Sequence, residues 1–159
     1  MNRLRHLRGV VGGALLCFAS GTCVTASATA QTTASSNPIG LWRTIDDETH
    51  QPKGLVRIYE QHDKLFARIE QVLAAADAGK RCEKCTDARK NQPITGLVIM
   101  RNMGLDEDEY NGGDILDPKT GGIYRCRLRV VDDGKKLEVR GFIGLSLFGR
   151  SQTWERVAP

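Results

Sequence analysis

From Tyr124 to Ile143 the chain alternates between apolar and charged residues, and this period of two constrains the fold more than any other feature. Tyr124, Cys126, Leu128 and Val130 share one side of an extended segment, and Arg125, Arg127 and Arg129 take the other. Successive strand side chains point to opposite faces, so the pattern predicts a half-buried antiparallel strand with Cys126 turned into the core. Leu137, Val139, Gly141 and Ile143 alternate likewise with Lys136, Glu138 and Arg140. Asp132-Asp133-Gly134 between the runs is a hairpin turn, so the two strands pair.

The same period recurs in Leu41 to Asp46, Gly54 to Glu60, Lys64 to Leu73, Ile94 to Arg101, a short run at Asp114 to Leu116, and Arg150 to Val157. Turn residues separate them at Asp46-Asp47-Glu48, His62-Asp63, Asn111-Gly112-Gly113 and Asp117 to Gly121. The class is therefore all-β, with about eight strands joined mostly by short connections in a meander. Such a meander hides its edges most simply by closing into a small up-and-down antiparallel barrel. The one long connection carries two cysteines, and its alanine-rich start, Leu73 to Gly79, suits a short helical turn.

Closure brings the first and last strands together, so Gly40-Leu41-Trp42 should meet Trp154-Glu155-Arg156. This resembles the base of lipocalin-like barrels, where a basic residue of the last strand packs across the indole of a Gly-x-Trp, a cation–π contact of about 0.5 to 2 kcal/mol. The plainer alternative makes both tryptophans ordinary core residues.

Residues 1–30 read as a cleavable signal peptide. Arg3, Arg5 and Arg8 form a positive start, Val10 to Ala19 an apolar stretch, and Ala28-Thr29-Ala30 a small-x-small cleavage site. Ser20, Gly21 and Thr22 cut the apolar run well short of the roughly 20 residues a membrane span needs. Residues 31–38, rich in Thr, Ser and Ala, read as a flexible tether, and residues 39–159 as one barrel domain, periplasmic or secreted. The whole chain has 23 basic and 19 acidic side chains, and losing the three leader arginines leaves it near neutral. No basic stripe of the kind nucleic acid requires is present.

Taken together, Gly40-Leu-Trp42, Gly54-Leu-Val-Arg-Ile58, Cys82-Glu-Lys-Cys85, Gln92-Pro-Ile-Thr-Gly-Leu97, Gly113-Asp-Ile-Leu-Asp-Pro118, Gly121-Gly-Ile-Tyr124 and Val139-Arg-Gly-Phe-Ile-Gly144 through Gly149-Arg150 to Trp154 resemble an exported bacterial family. It is known as domain of unknown function 2147, and the resemblance covers essentially the whole mature domain. It implies a lipocalin-like, calycin-like barrel in a secreted or periplasmic protein, with no reaction established. The chain departs from the family at Ala67, where glycine is common.

Candidates for chemistry are few. In an oxidising compartment Cys82-Glu83-Lys84-Cys85 serves as a structural disulfide, a redox dithiol or half of a zinc site. Redox motifs of the thioredoxin type sit at a helix N-terminus after a strand. This one lies in a basic loop between strands, which favours a structural disulfide, with Cys126 free in the core. His50 and His62 fall in separate turns, away from the inward Cys126, so no metal set is expected. Ser146 and Ser151 lack a nucleophile elbow, the paired glycines lack a strand-loop-helix setting, and Asp106 to Glu109 lacks the ligand spacing of a calcium loop and reads as a solvated loop. No cofactor and no enzymatic activity is expected.

Two features can meet a ligand. An eight-stranded barrel has room for packed side chains or one small molecule. Trp42, Tyr124 and Trp154 line such a cup, with Arg140 or Arg150 for an anionic head group, or they fill the barrel while the arginines face solvent. The second feature is the apolar turn Gly144 to Gly149, carrying Leu145, Leu147 and Phe148. It serves as a lid over the mouth, as a contact for an envelope partner, or as a plug folded into the core, the plainest of the three. The expectation is a monomeric or weakly associating lipocalin-like carrier of a small apolar or amphipathic molecule. Its alternative is an envelope interaction module with a filled barrel.

Overall fold

A computed structural model of the protein describes residues 36–145 and 147–157. The expected leader, most of the tether and Ser146 lie outside the described residues. Strands follow in chain order as β1 (Gly40–Ile45), β2 (Pro52–Gln61), β3 (Lys64–Val72), β4 (Val98–Asp106), β5 (Glu109–Leu116), β6 (Ile123–Val131), β7 (Lys136–Phe142) and β8 (Gly149–Arg156). Each pairs antiparallel with the next, and β8 returns to β1 with Trp42 opposite Arg156 and Arg43 opposite Glu155. The sheet closes into a barrel, as the meander requires.

Short hairpins form where their residues accept a left-handed backbone. His62 and Asp63 have φ of 52° and 57°, and Asp132 and Asp133 have 53° and 51°. Asp106 to Glu109, expected as a solvated loop, is instead a strand end, a tight turn and a strand start. Asn111-Gly112-Gly113, expected as a turn, lies inside β5, where the register with β6 shifts between Tyr110 and Gly113. This is a bulge with a steric cause: a Cβ on Gly113 would lie 2.2 Å from the carbonyl oxygen of Arg101 on β4. β4 starts at Val98, not Ile94, because Ile94 and Gly96 hydrogen-bond to Lys80 and Ile69 as part of the preceding loop.

That long loop begins with a single 3-10 turn, Ala75–Asp77, and carries the Cys82–Cys85 disulfide. Cys82 and Cys85 are fully buried, and the loop lies against the turn after β5. The backbone approach is close enough that a Cβ on Gly121 would meet the Lys84 carbonyl oxygen. Arg89 fixes the far side by bonding Asp87 and donating to the Val98 carbonyl at 3.1 Å, and Arg101 bridges Asp87 and Asp114. These bonds to Arg89 hold the Asp87 carboxyl down at about 2. Ile99 and Leu116 are buried although their register turns them outward, opposite the inward Met100 and Ile115.

Inside the barrel, Trp42, Ile58, Ala67, Met100, Met103, Leu128, Leu137 and Trp154 form a dry core with Cys126 among them. Cys126 is a free thiol, as its alternation predicts, and burial pushes it up to about 12. Outside, charged residues pair across strands, Arg57 with Glu70, Arg127 with Glu109 and Arg129 with Glu138. Such partly exposed pairs contribute at most about 1 kcal/mol each.

Candidate functional site

Chain direction divides the barrel into two ends. At one end lie the start of β1, the end of β8 and the short turns at 62–63, 107–108 and 132–135. At the other lie the loops at 46–51, 73–97, 117–122 and 143–148.

The first end is a closed base. Trp42 is fully buried, and its indole N–H donates to the Pro38 carbonyl at 2.8 Å. The Arg156 guanidinium lies 4.2 Å from the Trp42 ring centroid. Its N–H groups donate to the backbone oxygens of Gly134, Ile39 and Asn37, the last at 2.8 Å. One arginine thus ties together the first strand, the β6–β7 turn and the segment before β1. Asn37 and Pro38, assigned to the tether on composition, belong to this base: Pro38 is fully buried.

The second end is a mouth. Along β8 the inward positions are Trp154, Gln152 and Arg150, opposite Leu137, Val139 and Gly141 of β7. Burial falls steadily towards the rim: Trp154 is 2% exposed, Gln152 is half-buried, and the Arg150 side chain is 68% exposed. Ile69, Ile115 and Tyr124 are inward and half-buried on the other walls. Above them the β1–β2 loop carries Asp47, whose Oδ2 accepts the Gln152 side-chain N–H at 2.8 Å and pairs with Arg150. Asp46 shapes that loop. Its carboxylate accepts the backbone N–H groups of Thr49 and Glu48 at 2.9 and 3.1 Å, which holds it well below the usual range, at about 2.

Of the six residues expected to touch a ligand, Tyr124 and Arg150 therefore face the mouth. Trp42 and Trp154 do not line an open cup, because both are sealed in the packed core. Arg140 is on the outer wall, opposite Arg127 and Ser151, where it donates to Ser151 Oγ at 2.8 Å and to the Leu147 carbonyl. Phe148 is not a core plug. Leu145, Leu147 and Phe148 are 69%, 82% and 75% exposed on the β7–β8 turn, and Ile143 is exposed beside them.

Gln152 and Asp47 enter the site without having been singled out. Alternation with Arg150 and Trp154 could have placed Gln152, but no local signal brings Asp47 across to a strand 105 residues away in sequence.

Two clefts among the described residues lie away from this end's inner wall, on the outside of the barrel. One, of about 300 Å³, follows the β5 bulge between Glu109, Arg125, Arg127 and Phe142; the other, of about 260 Å³, is edged by Arg89, Pro93 and Leu97. Among the described residues no group of three or more His, Cys, Asp or Glu side chains is placed to hold a metal ion, and no helix is long and apolar enough to cross a membrane.

A family model described as an uncharacterized protein conserved in bacteria (DUF2147) matches residues 40–156. The chain is also similar in structure to a protein of the human pathogen Helicobacter pylori described as belonging to the lipocalin family. The TM-score is 0.68 at 18% identity, over 78% of this chain and 85% of that one. At that identity the likeness shows the fold, a lipocalin-like barrel. No curated protein matches.

Proposed function

Because the chain belongs to the bacterial DUF2147 family and has a lipocalin-like barrel, we propose that it is an exported, non-enzymatic protein that binds one small apolar or amphipathic molecule. Binding takes place at the mouth and not deep in the barrel. One observation carries this reading: the inner surface changes from dry packing around Trp42 and Trp154 to the half-open apolar positions Ile69, Ile115 and Tyr124. Apolar walls with a few convergent polar groups are the usual makeup of a small-molecule site. The exposed Leu147 and Phe148 supply a lid that ligand would draw down, since large apolar side chains in water lower their free energy by covering a hydrophobic guest. The Cys82–Cys85 disulfide supports an oxidising compartment.

Native mass spectrometry of the protein purified from its own cells tests this. A small co-purifying mass is expected, and it should be lost in Ile115→Glu. The second reading, an envelope interaction module, draws on the same exposed turn. It would be favoured by an intact barrel that carries no small mass and whose cross-link to an envelope protein disappears in Leu147→Asp.

A further inference from the structure

The polar side of the mouth is built like a receptor for a carboxylate, and the protein's own Asp47 sits in it. Trp154 is buried, and its indole nitrogen can only donate a hydrogen bond. It donates to Gln152 Oε1 at 3.2 Å, which forces the Gln152 amide to turn its N–H groups towards the rim. Those N–H groups and the Arg150 guanidinium converge on a single oxygen, Oδ2 of Asp47. A guanidinium beside a fixed amide donor is a strong and oriented partner for a planar carboxylate. The occupant is not part of the barrel wall. It comes from the β1–β2 loop, which Asp46 holds in shape through Glu48 and Thr49, so the loop can move away as a unit.

We infer that the ligand bound at the mouth is a small monocarboxylate with an apolar tail, and that Asp47 is an internal competitor which it displaces from Arg150 and Gln152. The inference rests on the mouth-binding reading above and adds the head group and the latch. The tail lies along Ile115 and Tyr124 while the carboxylate replaces Asp47, and the β1–β2 loop swings out. Arg150 is mostly exposed, so its pairing with Asp47 is weak and displacement is easy. Removing the competing charge should tighten carboxylate binding by about fivefold, the upper range for an exposed ion pair.

Octanoate and octan-1-ol, titrated into the mature chain with Trp154 fluorescence and calorimetry as readouts, test the point. Octanoate should bind more tightly than octan-1-ol. Asp47→Asn should tighten octanoate about fivefold and leave octan-1-ol unchanged. Arg150→Gln should abolish the preference, and the backbone amide resonance of Asp47 should shift when octanoate binds, while Glu48 and Thr49, still bonded to Asp46, keep their protection from exchange. Circular dichroism of each variant checks that the barrel is intact. Equal affinity for acid and alcohol in both wild type and Asp47→Asn would overturn the latch while leaving mouth binding in place. Failure of both molecules to bind any variant would overturn the mouth reading and the latch with it.

Discussion

The base and the mouth of this barrel each place an arginine of β8 at the rim, six residues apart in sequence, and they use it differently. Arg156 meets an aromatic face and three backbone oxygens, none of which can leave. Arg150 meets a carboxylate on a loop. The first set of partners is neutral and held by the fold, with Trp42 on β1, Gly134 in the β6–β7 turn, and Asn37 and Ile39 on either side of the buried Pro38, so it closes the barrel permanently. The second is charged, exposed and exchangeable, which suits a place where something else must bind. The contrast teaches that one residue type on one strand serves closure or recognition according to whether its partner is fixed.

The strongest way to break this contrast is at the base. Trp42→Ala removes a fully buried indole, the Pro38 hydrogen bond and the Arg156 stacking partner. A loss of about 3 to 5 kcal/mol in urea unfolding is expected. A loss under about 1 kcal/mol would mean that the base does not hold the barrel closed.

Next comes Arg156→Ala. It leaves the oxygens of Asn37, Ile39 and Gly134 without their donor and uncovers the Trp42 ring, so about 2 kcal/mol should be lost. Binding at the mouth should be unchanged, because Arg156 touches none of it. A parallel loss of octanoate affinity would show the two ends to be coupled.

Acid should separate the ends without mutation. Asp46 has its carboxyl depressed from 3.8 to about 2 by the Thr49 and Glu48 backbone N–H groups. A depressed folded value means that its contribution is fully present above about pH 4 and is lost as pH falls through about 2. Asp87 behaves likewise through Arg89. Amide exchange at Glu48 and Thr49 should therefore accelerate in that window. The protons of the Trp42 and Arg156 side chains, donated to neutral backbone oxygens, should remain protected until the whole barrel unfolds.

The smallest effect is expected at the apolar turn. Leu147 is among the most exposed large apolar residues, so Leu147→Asp should change stability by less than about 0.5 kcal/mol. A larger loss would place the turn against the barrel and remove its availability as a lid or contact.

Much of this was legible in the chain. Alternation points to all eight strands, because one face must be dry and the other wet, but it misplaces the bounds of β4, where the adjacent Ile99 and Met100 are both buried; barrel closure follows from the short turns and the matching ends. Cys126 in the core is readable for the same reason, whereas the Trp42–Arg156 contact rests on barrel closure together with the resemblance to lipocalin-like barrels. The sequence pattern shortens β5 because Gly112-Gly113 signals a turn equally well as a bulge, and only the close approach of Arg101 decides between them. Alternation by itself puts Arg140 on the polar face with Lys136 and Glu138. Assigning it to the cup set that period aside, and the structure restores it. Burial of Trp42 and Trp154 was legible as apolarity but not as depth, which depends on how far the opposite wall fills in. Asp47 was not legible as a site residue at all, because its role depends on a loop conformation set by Asp46 and on a partner strand at the far end of the chain.

The central claim is that the base is sealed and the mouth accepts a small molecule. Amide and methyl chemical-shift mapping of the mature chain with octanoate tests it most directly. The account predicts shifts at Ile69, Ile115, Tyr124, Gln152 and Thr49, with Ile58, Trp42 and Leu137 unmoved. Shifts confined to the outer cleft around Gly113, Arg127 and Phe142, or no shifts at all, would contradict it.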